Sequence, residues 1–361
     1  MKKYTVIGLM SGTSLDGLDI ACCEFRMIKN KWTWHIVKAE TVTYTRSMKN
    51  RLEQAPNEPA AKLLQMHHWF GAWQGEQVKK FIEKHILKPD LVCAHGHTVF
   101  HQPQNGLTLQ IGSGAGLAAA CCIETVTDFR SLDVALGGQG APLVPIGDEL
   151  LFTDYDYCLN LGGFANISYS GKGSRLAFDI CPVNIILNKL SREAGKPYDK
   201  NGEMARKGVV SHSLLKKLNN LSYYRIKGPK SLGKEWVDQQ VSPLLEASEE
   251  SIPNKLATCV EHVAMLIARE LKRKKAKILV TGGGAWNDYL MERIRYHSES
   301  SIPLPDNSLI AFKEALIFAF LGLLRYRNEV NTLCSVTGAS RDSSGGSIWS
   351  GRKGKKIKNP R

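Results

Sequence analysis

The chain has 361 residues, with 48 Lys and Arg against 34 Asp and Glu, a formal net charge of +14. That length exceeds one ordinary domain of about 100 to 200 residues and fits two. The basic excess gathers at Lys272 to Lys277 and in the tail Arg352 to Arg361, without interleaved aromatics, which speaks against nucleic acid and for anionic small molecules. No apolar run reads as a membrane span of about 20 residues, and the N-terminus lacks the long apolar core of a signal peptide, so no membrane partner is expected. Nine cysteines show no CxxC and no Cys/His ligand spacing, the pattern of buried reduced thiols in a cytoplasmic protein.

In chain order, Tyr4 to Leu9 and Leu18 to Phe25 read as strands around the polar turn Met10 to Asp19. Gly12 and Gly17 are expected to take positive φ and turn backbone N–H groups toward a ligand, with Ser11, Thr13 and Ser14 adding hydroxyl donors suited to phosphate oxygens. Asp16 and Asp19 would repel a phosphate unless a divalent cation, normally Mg2+ with its waters, lies between. Trp32 to Tyr44 alternates as a third strand, and Ala60 to His85 carries apolar residues at the spacing of one or two helices. Pro89 to Ala94 is a short buried strand running into His95-Gly96-His97-Thr98, whose histidines lack a completing carboxylate or Cys for zinc and read as hydrogen-bonding groups at a strand end. A strand at Gly106 to Ile111, a small-residue helix within Gly112 to Cys122, and a strand leading into Asp128-Phe129-Arg130 follow. The Gly-rich passage from Asp133 to Pro142 reads as a hinge or domain boundary.

The chain then restarts. Tyr157 to Leu161, the turn Gly162-Gly163, Phe164 to Tyr169 and Arg175 to Phe178 repeat the strand, glycine turn, strand, strand plan of the opening. Helices are expected at Asn184 to Ala194, Ser211 to Leu218, Asn254 to Lys272 and Asp288 to Arg295. The apolar strand Ile278 to Thr281 ends in Gly282-Gly283-Gly284, where backbone can approach a flat ligand closely.

Three glycine turns at strand ends in two similar halves resemble the architecture of acetate and sugar kinases, hexokinase, actin and heat-shock ATPases. That resemblance implies an α/β chain of two ribonuclease-H-like domains, with mixed central sheets flanked by helices and a nucleotide in the cleft between them. Within that superfamily the motifs are similar to those of the 1,6-anhydro-N-acetylmuramic acid kinase family. They are Met10 to Asp19, His95-Gly96-His97-Thr98, Asp128-Phe129-Arg130, Gly137 to Pro145, Asn160 to Asn166, Gly282 to Asn287 and Ser335 to Ala339. The domains would be 1–135, 136–340 and a basic tail, 341–361, returning to the first.

The resemblance implies an ATP-dependent enzyme of cell-wall recycling, cytoplasmic and homodimeric. It opens the anhydro ring of 1,6-anhydro-N-acetylmuramic acid with water and phosphorylates O6. ATP would be held by Ser11, Gly12, Thr13, Ser14, Leu15, Asp16, Gly17, Leu18 and Asp19, by Asn160, Gly162, Gly163 and Asn166, and by Gly282, Gly283, Gly284 and Asn287, with Asp16 and Asp19 supporting Mg2+ through water. His97, Thr98, Asp128, Arg130 and Glu314 would contact the sugar. The family base, the aspartate of Phe-Asp-Thr-Gly-Pro-Gly-Asn, corresponds to Asp179 in Phe178-Asp179-Ile180-Cys181-Pro182-Val183-Asn184, where Ile180, Cys181 and Val183 depart from the pattern. From the residues alone, Asp179 also suits a cap for the helix that follows, and Asp128 with Arg130 a surface ion pair. Two other readings are an ordinary sugar or acetate-type kinase and an ATP-gated chaperone-like ATPase.

Overall fold

The structure is a computed structural model that describes residues 2–351 apart from 13, 14, 172, 229, 274, 299 and 301. It divides into two units, Met1–Leu151 with Phe312–Arg361, and Phe152–Ala311. The first opens with the antiparallel strands β1 (Lys3–Ser11), β2 (Gly17–Ile28) and β3 (Lys31–Thr43). β1 lies inside the sheet and is buried almost throughout, whereas β3 at the edge alternates between exposed and covered positions, as the apolar pattern of each requires. Helix α1 (Arg46–Gln54) is capped by Thr45, whose hydroxyl oxygen accepts from the Met48 N–H at 3.2 Å, and α2 (Ala60–His85) is one continuous helix. Strands β4 (Leu91–Gln102), β5 (Leu107–Ile111) and β6 (Thr125–Thr127) and helices α3 (Gly114–Cys121), α4 (Ser131–Ala135) and α5 (Val144–Leu151) follow.

The second unit contains β7 (Tyr157–Leu161), β8 (Phe164–Ser170), β9 (Arg175–Pro182) and β10 (Ile278–Thr281). Its helices are α6 (Asn184–Glu193), α7 (Glu203–Lys207), α8 (His212–Asn219), the short α9 (Lys234–Trp236) and α10 (Ser242–Glu246), then α11 (Ile252–Glu270) and α12 (Asp288–Ser298). Helix α13 (Asn307–Tyr326) runs from this unit into the first, where α14 (Cys334–Thr337) and β11 (Ser347–Trp349) complete the described chain. The sheet orders are β11-β6-β4-β1-β2-β3, with β5 on β4, and β10-β7-β8-β9. In each, a three-stranded antiparallel meander places its first strand parallel to a later one, β1 beside β4 and β7 beside β10. The two glycine hairpins, β1–β2 and β7–β8, therefore occupy equivalent places in a mixed α/β plan that occurs twice.

The domain limits differ from the expected ones. Residues 136–151 and 312–340 belong to the first unit. The Gly-rich passage is not the boundary but lies inside the first unit, where the buried Asp133 carboxylate holds it, accepting from the Gly140 N–H at 2.8 Å and from the Thr337 hydroxyl at 2.7 Å. Helix α13 is long and apolar enough by length and composition to cross a membrane, contrary to the reading of the sequence, yet 72% of that stretch is buried in protein. In the first unit Phe318 packs on His95 and Phe129, and Phe320 on Phe25 and Trp32. Lys313 pairs with Asp148 at 2.7 Å, both side chains almost wholly buried. Phe312, where the units divide, leaves helical geometry, with φ −116° and ψ 16°.

Strand β1 lies so close to α13 that a methyl group on Gly8 would sit 1.9 Å from the Ala315 carbonyl oxygen. Gly8→Ala should cost about 1–3 kcal/mol or more through overpacking. Gly163→Ala, whose added carbon meets nothing within 4 Å, should stay within about 0.5 kcal/mol of the parent. Urea denaturation of both checks this, and equal midpoints would contradict the packing argument.

Candidate active site

The first hairpin joins Ser11 to Gly17; Thr13 and Ser14 lie outside the described residues. Leu15 takes the left-handed conformation, with φ 57°. Gly17 does not share it. It sits extended in β2 opposite Thr43, and a side chain there would strike the Val42 carbonyl oxygen at 2.6 Å, so closeness of β3 is what demands glycine. Ser11 also departs from expectation. Its hydroxyl is buried and engaged, accepting from the Tyr44 phenol at 2.7 Å and lying 3.2 Å from His97 Nδ1, so it does not face a phosphate. Leu15 and Leu18 are buried as well, which leaves only their backbone for a ligand. Asp16 is exposed. Asp19 accepts from the Thr41 hydroxyl at 2.5 Å; burial raises its carboxyl above the ordinary range, the Thr41 bond opposes this, and Asp16 adds to it.

Strand β4 carries the histidines past the hairpin, with His97 in register with Ser11. His95 Nδ1 donates to the Gly96 carbonyl at 2.9 Å, so Nε2 is the acceptor for Arg130 Nε at 3.0 Å and Nη2 at 2.8 Å. Burial, with Arg130 alongside, keeps His95 neutral well below its usual range. Arg130 Nη1 donates to the Gly140 carbonyl at 2.5 Å, and Asp128 (φ 60°) accepts from the Ser131 hydroxyl. The Asp128–Arg130 ion pair suggested by the residues alone is thus replaced by separate partners. Glu314 reaches solvent, yet protein crowding its carboxyl raises it; Lys313 opposes the rise, Asp19 adds to it and Arg130 opposes it. Arg130, Glu314 and Asp19 therefore share one electrostatic neighbourhood. Burial also depresses the His97 imidazole to about 4. Thr98 follows on β4, part-exposed.

In the second unit the Gly162–Gly163 turn rests on the start of α6. The Gly163 carbonyl accepts from the N–H groups of Val183 at 2.8 Å and Ile185 at 3.3 Å, and Gly162 from Asn184 at 3.2 Å. These bonds use the helix's otherwise unpaired first-turn donors and leave Gly163 facing open space. Gly282 (φ 84°) and Gly284 pack directly on β7, where added carbons would lie 2.6 Å from Asn160 Oδ1 and 2.7 Å from Leu161 Cβ, while Gly283 is exposed. Asn166 stands opposite both Asn160 and Asp179 across β8. Asn287 spends its side-chain oxygen capping α12, accepting from the Leu290 N–H at 3.0 Å.

Asp179 is part-buried on β9. Its Oδ2 accepts from the Leu232 N–H at 2.9 Å, and its own backbone bonds Lys230 and the Tyr223 phenol. Oδ1 carries no hydrogen bond among the described residues. The carboxylate does not cap α6, whose N-cap is Val183 without a side-chain bond. Ile180, Cys181 and Val183, the departures from the family loop, all point into the hydrophobic core of this unit. Sequence reading took His95 as a hydrogen-bonding group, as it is, without naming Arg130 as its partner, and missed Tyr44 and Leu232. Tyr44 had a usable signal, since the register of a three-stranded meander brings the end of β3 beside the first turn.

Burial raises the Asp179 carboxyl against the opposing Leu232 bond. The folded state then holds a proton more tightly than the unfolded state, so the cost of ionisation grows as pH rises from the unfolded pKa, near 3.8, through the raised folded one, and is fully present above it. Asp179→Asn should therefore be at least as stable as the parent at pH 7, with the difference shrinking toward pH 3. Denaturation midpoints across that range test it, and a variant markedly less stable at pH 7 would contradict it.

The sequence profile of the family described as Anhydro-N-acetylmuramic acid kinase matches residues 4–351. A protein named anhydro-N-acetylmuramic acid kinase from Pseudomonas fluorescens (strain Pf0-1) is 38% identical over 92% of this chain and 96% of its own length. One of the same name from Sulfurimonas denitrificans is 33% identical over 95% and 98%. Among solved structures, xylulose kinase from Rhodospirillum rubrum aligns with a TM-score of 0.43 at 12% identity, covering 88% of this chain and 90% of that one. With that profile running through both units, the chain belongs to the anhydro-N-acetylmuramic acid kinase family.

Proposed function

We propose that the chain acts as its family name says: it uses ATP to phosphorylate 1,6-anhydro-N-acetylmuramic acid at O6 while water opens the anhydro bridge, giving N-acetylmuramic acid 6-phosphate and ADP in peptidoglycan recycling. The observation that carries the assignment of roles is Asp179, a carboxylate with one oxygen anchored by a backbone N–H and the other unengaged among the described residues. In that role Oδ1 takes a proton from water as its oxygen bonds to the anomeric carbon. The bond from that carbon to O6 breaks, and O6 receives the γ-phosphoryl group as ADP leaves. Burial raises Asp179 toward the working pH, which strengthens it as a base.

His97, Thr98, Asp128, Arg130 and Glu314 hold the sugar on this reading. The fixing of Arg130 by His95 and Gly140 supports its part, because a preset guanidinium orders little further on binding. Backbone of the Gly12 to Gly17 turn and of the turns at Gly162–Gly163 and Gly282–Gly284 would approach ATP. Asn160 and Asn166 would contribute side chains, and Asn287 its amide nitrogen. Asp19, raised by burial and by Asp16, and Asp16 itself fit a divalent cation held through its waters. Mg2+ there would neutralise phosphate charge. Nine free thiols suit a cytoplasmic location, and the family resemblance adds a homodimer, which sedimentation can check.

Asp179→Asn should leave the dissociation constants for ATP and sugar near those of the parent and lower product formation at least about a hundredfold. In 18O-water the parent's product should carry heavy oxygen on the sugar together with a 6-phosphate; its absence would exclude coupled ring opening. If the variant keeps more than about a tenth of turnover while a change at Asp128, Glu314 or His97 abolishes it with binding intact, the base is misassigned. Asp16→Asn and Asp19→Asn should reduce turnover most at limiting Mg2+, and full activity of both there would remove the metal role.

A further inference from the structure

We propose that Tyr44 is a positioning residue which, acting through the Ser11 hydroxyl, holds His97 as its Nε2–H tautomer, so that the imidazole presents a hydrogen-bond donor to an oxygen of the substrate. The inference rests on the assignment of His97 to the sugar, but its first part concerns the protein alone.

The three side chains form a buried chain, with Tyr44 3%, Ser11 2% and His97 5% exposed. Tyr44 Oη lies 2.7 Å from Ser11 Oγ, and Ser11 Oγ lies 3.2 Å from His97 Nδ1. A phenol has one hydrogen, and among the described residues Ser11 Oγ is its only acceptor. Tyr44 therefore donates to Ser11, and the single Ser11 hydrogen is free to go to His97 Nδ1, which must be bare to accept it. The reverse direction, from Nδ1–H through Ser11 to Tyr44, leaves a buried phenolic O–H with no acceptor, an arrangement that folded proteins avoid. Burial of His97 favours the neutral ring, so one proton remains and it sits on Nε2.

The geometry is stiff. The Tyr44 ring packs against Phe70 at 6.4 Å and Trp73 at 5.7 Å between centroids, and Phe70 meets the His97 ring edge at 6.4 Å. Nε2 has no hydrogen bond among the described residues. The group it suits is an acceptor oxygen, whether hydroxyl, acetal or carboxylate, and it selects against a ligand offering only a donor there. Tyr44 thereby ties a sugar-facing residue to the base of the phosphate hairpin without contacting ligand itself.

The test uses the full chain labelled with 15N-histidine, with His97 signals assigned by their loss in His97→Gln. Long-range 1H–15N spectra at pH 7 should show His97 as the neutral Nε2–H tautomer, and Tyr44→Phe should convert it to a mixture of tautomers. The same variant should raise the KM for anhydro-sugar about two- to tenfold, with the KM for ATP unchanged. In a His97→Gln background, where the amide donates without help, Tyr44→Phe should add nothing to the sugar KM. A parental His97 that is Nδ1–H or doubly protonated overturns the proposal. So does a Tyr44→Phe protein with unaltered tautomer, or with altered tautomer and unaltered sugar KM. A parent that binds the sugar but does not phosphorylate it overturns the kinase reading instead, and the spectra still decide the tautomer.

Discussion

A buried carboxylate organises the first unit. Asp133 is 1% exposed, and its oxygens accept from the Gly140 N–H and the Thr337 hydroxyl, so its charge is met by hydrogen bonds on both sides. Gly138 must be glycine there, since a methyl group would lie 2.2 Å from Asp133 Oδ2. With the loop so held, the Gly140 carbonyl is in place for Arg130, and Arg130 is closed from its other side by His95. Hydrogen bonds to a charged group contribute about 1.5–3 kcal/mol each, so losing one of these donors costs more than losing a neutral pair at the surface. One interaction thus ties α4, the Gly-rich loop and α14 to the orientation of a proposed sugar ligand.

Two neutral histidines two residues apart on β4 do opposite work. His95 gives its Nδ1 proton to backbone and accepts the guanidinium at Nε2, while His97 accepts at Nδ1 and offers Nε2–H. Both depend on burial, which disfavours the imidazolium and makes each ring a fixed hydrogen-bonding group. Around them the acids behave conversely: Asp19 and Glu314 are raised by the same loss of water.

The second unit achieves rigidity with backbone. The carbonyls of Gly162 and Gly163 satisfy the first-turn donors of α6, Gly282 and Gly284 press on β7, and Leu232 fixes one oxygen of Asp179. The loop departures Ile180, Cys181 and Val183 belong to the hydrophobic core of this unit.

The sequence by itself determined the strand–turn–strand openings of both units, helices α2, α3, α6, α8, α11 and α12 to within a few residues, and the family, because alternation, helical spacing and motif order are local properties of the chain; it did not show α13. It could not show that Ser11 and Asn287 spend their side-chain oxygens inside the protein, that Gly17 answers the approach of β3, or that Asp179 caps no helix. Nor could it place the division between units, which follows from α13 packing beside β1 and from Asp133 reaching Thr337, 204 residues away. Tertiary structure alone decided these points, since a hydrogen bond or a steric contact is made by whichever distant segment folding brings within a few ångströms, and no local pattern records which one that will be.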